Sequence, residues 1–326
     1  MLINKTDTFF IAGHRGMVGS ALYRKLINYG YKDILTVSRS ELDLRDSQKV
    51  DKWFSKNKPS VVILAAAKVG GIQSNKNQPT EYLIDNLKIQ NNVIESSWRH
   101  NTKRFLFLGS SCIYPKFANQ PIKEEELLSG ELEPTNDSYA LAKIVGIKLI
   151  NALRNQYQFD GISLMPSNLY GPGDNYHPLN SHVLASFISK FHSAKKKSEE
   201  EVICWGSGSP YREFMHVDDL AEACIFALDN WNPDDLNSPK LDNGNKLYYL
   251  NVGTGLDLKI KELALKIAKA YDYSGKIFWD RSKPDGTPRK KLDISRIKSL
   301  GWSPKITLDY GIEEVINLYR KESKIQ

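Results

Sequence analysis

Three cysteines in 326 residues, Cys112, Cys204 and Cys224, cannot build a disulfide framework, and their spacing is not that of metal ligands. They read as free thiols or small buried side chains, and no metal is expected. Long apolar runs are also missing. The longest plain one, Val61 to Ala67, falls far short of the roughly 20 residues a spanning helix needs, so it reads as a buried strand and no membrane association is expected. Phe9 to Ala12 is too short for the apolar core of a signal peptide and runs straight into glycines, which leads us to expect a cytoplasmic protein. A clustered basic stripe is absent despite a formal charge of +7 and a pI near 9.0. The densest basic run, Lys195 to Lys197, is followed closely by Glu199 to Glu201, the mixture of a solvated loop. Nucleic-acid binding is therefore not expected, and the surplus positive charge suits an anionic small molecule or cofactor.

What is present is an ordinary globular composition, 41% hydrophobic and 25% charged, with neither repeats nor low-complexity tracts. The length suggests two domains, or one large α/β domain with a lobe grafted on. Short β-branched or aromatic runs alternate with helical patterns. Thr8 to Ala12, Ile34 to Val37, Val61 to Ala67, Arg104 to Leu108 and Ile162 to Met165 read as strands. Met17 to Tyr29, Ser47 to Lys56, Tyr82 to His100 and Ser138 to Tyr157 read as helices. Apolar strands in this rhythm imply a parallel sheet covered on both faces, the doubly wound Rossmann-type α/β architecture. We expect residues 1–170 to form the dinucleotide-binding domain, with a return segment near 213–252, and residues 171–326 to form a smaller substrate lobe. The polar stretch Asp229 to Lys246 receives no role.

The first strand feeds Gly13-His14-Arg15-Gly16-Met17-Val18-Gly19 and then a helix. In such a loop the first glycine permits a tight turn, the second lets backbone N–H groups approach a pyrophosphate, and the third lets helix and sheet pack closely. Enzymes that use NAD usually place an acid at the end of the second strand, whereas here Ser38-Arg39 follows it. A guanidinium there, with Arg15 as a second contact, favours the 2′-phosphate of NADP(H). Asp43-Leu44 is either an adenine contact or a helix start.

Tyr139 and Lys143 stand four apart at the start of a strong helix, on one face. A nearby ammonium favours the phenolate, which makes Tyr139 a usable proton donor to a carbonyl oxygen. That spacing arises often by chance. Its weight comes from the glycine loop and from Gly109-Ser110-Ser111-Cys112 at a strand end, where Ser110 would hydrogen-bond the substrate carbonyl.

These residues resemble the extended short-chain dehydrogenase/reductase superfamily. Longer segments bring the resemblance to the GDP-L-fucose synthase family: GHRGMVGSA at Gly13 to Ala21, LGSSCIYPK at Leu108 to Lys116, EPTNDSYALAKIVGIK at Glu133 to Lys148, NLYGPGDN at Asn168 to Asn175, WGSGSPYREFMHVDD at Trp205 to Asp219 and KPDGTPRK at Lys283 to Lys290. The resemblance implies epimerisation at C3 and C5 of a 4-keto GDP-sugar followed by NADPH-dependent reduction at C4. It assigns the epimerising acid–base pair to Cys112 and His182, which on their own read as a small strand-end residue and a surface histidine. Thiol and imidazole both titrate near enough to neutrality for that work.

The resemblance also adds Leu108, Gly109, Pro166, Asn168, Leu169 and His182 on the nicotinamide side, and Lys190, Trp205, Arg212 and Asp285 on the sugar-nucleotide side. Lys190 stands where some relatives carry Arg, which removes a bidentate fork. Asp218-Asp219 read as helix caps. A homodimer is expected by analogy with the superfamily. Two other readings compete. One is an NAD-dependent sugar-nucleotide 4-epimerase or 4,6-dehydratase, against which Arg39 and Ser111-Cys112 argue; the other is a dinucleotide sensor without catalysis, against which Tyr139 and Lys143 argue.

Overall fold

The computed structural model describes residues 1–177 and 181–323; residues 178–180 and 324–326 of the expected second lobe lie outside the described residues. In chain order the strands are Phe9–Ala12 (β1), Ile34–Leu35 (β2), Val61–Leu64 (β3), Arg104–Leu108 (β4), Gly161–Pro166 (β5), Asn168–Tyr170 (β6), Glu201–Trp205 (β7), Tyr211–His216 (β8), Tyr249–Val252 (β9), Asp257–Lys259 (β10), Lys276–Asp280 (β11) and Arg289–Lys290 (β12). The helices are Met17–Asn28 (α1), Ser47–Asn57 (α2), Ile72–Asn77 (α3), Pro79–Arg99 (α4), Asp137–Tyr157 (α5), Val183–Lys197 (α6), Val217–Asn230 (α7), Ile260–Ala270 (α8), Ser295–Ser299 (α9) and Leu308–Glu322 (α10).

The central sheet is parallel throughout, in the order β2-β1-β3-β4-β5-β9. Its inner strands β1, β3, β4 and β5 are buried along their whole length, because helices cover both faces. The chain runs from β1 out to β2 and then crosses to β3 on the other side of β1. In parallel sheets of this order ligands bind at that switch point, beyond the carboxyl ends of the strands. On one face α5 lies flush on β4. A Cβ at Gly146 would come 2.4 Å from the Phe107 ring, so glycine is what lets the helix approach. That contact holds the start of α5 over the carboxyl end of β4, where the site lies.

Three boundaries differ from the sequence reading. β3 ends at Leu64 rather than Ala67, because Ala65 N–H donates to Ala12 (2.9 Å) and Ala66 then backs against Gly13. β2 stops at Leu35, and the chain soon turns at Ser38, whose backbone N–H donates to the Glu41 carboxylate at 2.9 Å. At α7 the cap is His216, whose ring accepts from Asp218 N–H at 3.2 Å. Asp218 instead pairs with Arg24 (2.9 Å), and Asp219 accepts the backbone N–H groups of Lys305 and Ile306.

A second apolar cluster joins Leu184, Phe187 and Phe191 of α6 to Leu263 and Ile267 of α8 and to Ile312 and Val315 of α10. Around it a smaller sheet runs β10-β8-β12, with β6 pairing β8, and β7 pairs β11 as a two-stranded ribbon. The segment leaving β5 therefore passes directly from one sheet to the other at Pro166 to Asn168.

The polar stretch from Asp229 is a strap. Trp231 is wholly buried and donates from Nε1 to Ser238 (3.0 Å). Asp234 pairs with Arg154 (2.8 Å) and Lys246 (2.6 Å), and Asp242 pairs with Lys123 and Arg296, both at 3.0 Å. Arg296 also bonds Glu124 (2.5 Å), whose side chain is 1% exposed. Removing one partner of a buried pair leaves an uncompensated charge. Arg296→Met is therefore expected to lower the unfolding free energy by about 3–5 kcal/mol in urea titrations. A loss within about 0.5 kcal/mol, the range of an ordinary surface substitution, contradicts this account of the strap.

Candidate active site

The site begins at the glycine loop. Gly13 has φ +94°, and a Cβ there would lie 2.7 Å from the Ala66 backbone. A Cβ at Gly19 would sit 2.1 Å from the Gly13 carbonyl oxygen, so α1 packs directly on the turn. Gly16 differs, because its nearest neighbour would be the Gly13 oxygen at 3.5 Å, and it caps α1 without a side-chain bond. The backbone at the start of α1 is therefore open to close approach at the positive end of the helix, which fits a pyrophosphate.

Arg15 is exposed, and Arg39 has a side chain 74% exposed with Nε 3.8 Å from Asp43. Asp43 is committed elsewhere. Its hydrogen bond from Arg45 (2.7 Å) lowers its pKa to about 2, and Arg45 also reaches Asp85 at 3.2 Å. Among the described residues the guanidinium of neither Arg15 nor Arg39 is held in an ion pair shorter than 3.8 Å, so the charge of each is open to a phosphate.

At the carboxyl end of β4, Leu108 and Gly109 lie close against β5, since a Cβ on Gly109 would meet Met165 Sδ at 2.3 Å. Lys143, 4% exposed, donates from Nζ to the Leu108 carbonyl at 2.8 Å and lies 4.8 Å from the centre of the Phe107 ring. Burial lowers its pKa to about 7. The Tyr139 ring centre is 5.9 Å from the same ammonium, and Tyr82 meets the ring edge-on at 6.4 Å. The Ser110 hydroxyl lies near enough to the Tyr139 phenol to act on its acidity, and it accepts from Cys112 N–H at 3.2 Å.

The sequence reading had an ammonium favouring phenolate. Instead, enclosure by protein raises the Tyr139 pKa, Cys112 adds to the rise, and the Ser110 hydroxyl offsets only part of it. Tyr139 therefore stands as a neutral O–H donor, with Lys143, held by the Leu108 carbonyl, beneath its ring.

Cys112 follows β4 in a short turn, Ser111–Ile113. Its sulfur accepts from Asn136 Nδ2 at 3.4 Å and from Lys290 Nζ at 3.7 Å. Cys204 and Cys224 are wholly buried. His182 comes from a separate element, just before α6. The residue is exposed, and desolvation by the surrounding protein lowers its pKa. Pro166, Asn168 and Leu169 cross between the sheets alongside, with Asn168 Nδ2 anchored on the Glu213 carbonyl (3.1 Å).

On the far wall Trp205 is 40% exposed, on the outward face of β7, which excludes core packing as its role. Lys190 Nζ lies 5.3 Å from its ring centre and bonds the Ile203 carbonyl at 2.8 Å, and Lys283 lies 5.7 Å from the same ring. Arg212 bonds the Tyr211 carbonyl (2.8 Å) and the Asp285 carbonyl (3.4 Å). The Asp285 carboxylate itself accepts from Ser207 N–H and Oγ, both at 2.7 Å. It braces the turn around Gly206 and Gly208, so its side chain serves the loop rather than pointing unpaired at a ligand.

Sequence reasoning missed Asn136, Lys283 and Lys290. All three lie inside segments that carried the resemblance, but no periodicity pairs residues as distant as Lys290 and Cys112, which are 178 positions apart.

Comparison with known proteins agrees with this geometry. Residues 9–238 match the model of the NAD dependent epimerase/dehydratase family. The chain is 50% identical over 318 residues to an Arabidopsis thaliana protein named putative GDP-L-fucose synthase 2, covering 98% of this chain and 93% of the relative. It is 48% identical to the GDP-L-fucose synthase of Escherichia coli K12, covering 93% of each. Among solved structures, a GDP-mannoheptose C4 reductase from Campylobacter jejuni with NADP bound superposes with a TM-score of 0.87 at 34% identity, covering 98% of this chain and 99% of that one. A glycine cradle at the switch point, a tyrosine and lysine one helical turn apart at the end of β4, and these matches together place the chain: it belongs to the NAD dependent epimerase/dehydratase family.

Proposed function

We propose that this chain is a bifunctional epimerase-reductase that converts GDP-4-keto-6-deoxy-D-mannose to GDP-L-fucose, inverting C3 and C5 and then reducing the C4 ketone with NADPH. The observation that carries the reading is the grouping of Ser110, Cys112, Tyr139 and Lys143 at the end of β4, in a chain 50% identical along almost its whole length to a protein of that name. When bound, the reduced nicotinamide supplies hydride to the ketone carbon.

The protein's own groups do the rest. Ser110 and Tyr139 hold the ketone oxygen, which draws electron density from the carbons on either side and makes their protons removable. Cys112 and His182 exchange those protons from opposite faces, one taking a proton from carbon while the other returns one. At reduction Tyr139 gives its phenolic proton to the oxygen, and the ionised ring is stabilised by Lys143 beneath it.

Gly13, Gly16 and Gly19, with the N–H groups of Met17 and Val18, cradle the pyrophosphate, while Arg15 and Arg39 take the 2′-phosphate. Leu108, Gly109, Pro166, Asn168, Leu169 and His182 border the nicotinamide. Trp205 offers a flat face to a base or sugar ring, and Lys190 and Arg212 offer charge to the diphosphate.

Arg39→Asp tests the cofactor assignment. NADPH consumption on addition of the ketosugar should weaken at least about tenfold more than NADH consumption, because a charge-assisted fork to phosphate becomes a repulsion. An unaltered ratio removes Arg39 from the 2′-phosphate site. We place the enzyme in the cytoplasm as a homodimer. Support for pairing comes from exposed apolar side chains on α4 and α5, namely Ile84, Leu141 and Val145. No helix of the described residues is long and apolar enough to cross a membrane.

A further inference from the structure

We infer that Lys290 is a positioning residue for the epimerising thiol: its ammonium holds the Cys112 sulfur in place and offsets the negative charge that sulfur carries whenever it has given up its proton. This rests on the reading above, in which Cys112 exchanges protons with the carbons flanking the ketone. Nζ lies 3.7 Å from Sγ in a partly buried contact.

Strand register explains how a residue so far along the chain arrives there. Lys290 pairs with Arg212 in the parallel ladder of β12 on β8, and paired residues present their side chains on one face. Two cations therefore approach the turn after β4 from the same side, and Arg212 lies near enough for the charges of Arg212 and Cys112 to interact. The alternation is locked by the neighbouring residue, since Arg289 points the other way and pairs with Asp257 at 2.6 Å.

No carboxylate among the described residues forms an ion pair with Lys290, so its charge is directed at the sulfur rather than spent in a surface salt bridge. From the opposite side Asn136 Nδ2 donates to the same sulfur at 3.4 Å, at the positive end of the 21-residue helix α5. The other half of that amide, Asn136 Oδ1, is buried without a hydrogen-bond partner.

When a proton passes from carbon to sulfur, the C–H bond breaks, the S–H bond forms and the electron pair rests on the ketone oxygen. In the reverse transfer sulfur returns to its anionic form. Lys290 exchanges no proton with carbon in either direction, and its part is to hold the sulfur from 3.7 Å away.

Lys290→Gln and Lys290→Arg in the full chain separate charge from shape. The first reading needs no substrate: alkylation of Cys112 by iodoacetamide near neutral pH, followed by peptide mass, with the buried Cys204 and Cys224 as internal controls. Thiolate is the reacting form, so the Gln variant should alkylate about tenfold more slowly and the Arg variant within about twofold of the unmodified chain. The second reading is deuterium wash-in at the carbons flanking the ketone of GDP-4-keto-6-deoxy-D-mannose with NADP⁺ present, expected to slow at least about tenfold in the Gln variant and to recover in the Arg variant. Unchanged NADPH affinity by fluorescence shows that the variants are folded. An unchanged alkylation rate in the Gln variant, or a loss that Arg does not repair, overturns the role of Lys290. If the unmodified chain washes in no deuterium, the epimerase reading fails instead, and alkylation still decides whether Lys290 governs the sulfur.

Discussion

Tyr139→Phe lowers the rate of ketone reduction by about 10²–10⁴-fold, the range a positioned general acid contributes, while NADPH still binds. Reduction places negative charge on the ketone oxygen, and that charge must be met by a proton. In this site two neighbouring hydroxyls are arranged to meet it, Ser110 and Tyr139. Ser110 also accepts from Cys112 N–H, so its own proton is free for the substrate oxygen or for Tyr139. Only the phenol has a cation beneath it to stabilise the ring once its proton is gone.

Burial keeps the phenol protonated before the reaction and brings Lys143 down to about 7. The Lys143 ammonium is present below that pH and is lost as pH rises through it, so the reduction rate of the unmodified enzyme should decline above neutrality. Stopped-flow loss of NADPH absorbance at saturating ketosugar, with a fluorescence titration for NADPH affinity, reads both effects. A Phe variant that reduces within about tenfold of the unmodified rate takes the proton donor away from Tyr139.

The second large effect belongs to the carbon acids. Cys112→Ala should cut solvent-deuterium wash-in at C3 and C5 by at least about 10²-fold, because a methyl group neither takes nor gives a proton. The substitution is small and the turn that carries it is held by other groups: Ser110 and Ser111 supply the backbone bonds of Ser111–Ile113, and Ile113 and Tyr114 anchor it in the core. Fold and cofactor affinity should survive. NADPH consumption should persist at a reduced rate, on ketosugar whose flanking carbons have not been inverted, so the two halves of the reaction come apart in one variant. Exchange at the unmodified rate means that another group is the base.

Much of this was legible in the sequence, and the reason is local. A parallel strand covered on both faces reads as an apolar run, so Phe105 to Leu108 marked β4 from the sequence, with the buried Arg104 its one charged residue. The glycine loop announces itself because Gly13, Gly16 and Gly19 each answer a separate steric or binding demand. Tyr139 and Lys143 share a face by helical geometry alone.

What escaped was set by tertiary contact. The β12 strand is two charged residues long, Arg289 and Lys290, and carries no apolar signal, yet it delivers the ammonium beside Cys112. The stretch from Asp229 carried no readable role because several of its acids find partners far along the chain, on α5, on α9 and at Lys123. The cap of α7 fell to a histidine at a position where aspartates were the obvious candidates, since the aspartates were already engaged with Arg24 and with residues 305–306.

The whole account reduces to one cleft that both inverts the flanking carbons and reduces the ketone between them. The most direct measurement is the NMR spectrum of the sugar nucleotide formed from GDP-4-keto-6-deoxy-D-mannose and NADPH in deuterated water. The account predicts GDP-L-fucose carrying deuterium at C3 and C5, formed as NADPH is consumed. A reduced sugar that keeps its original configuration and its protons at both carbons, or no consumption of NADPH at all, contradicts it.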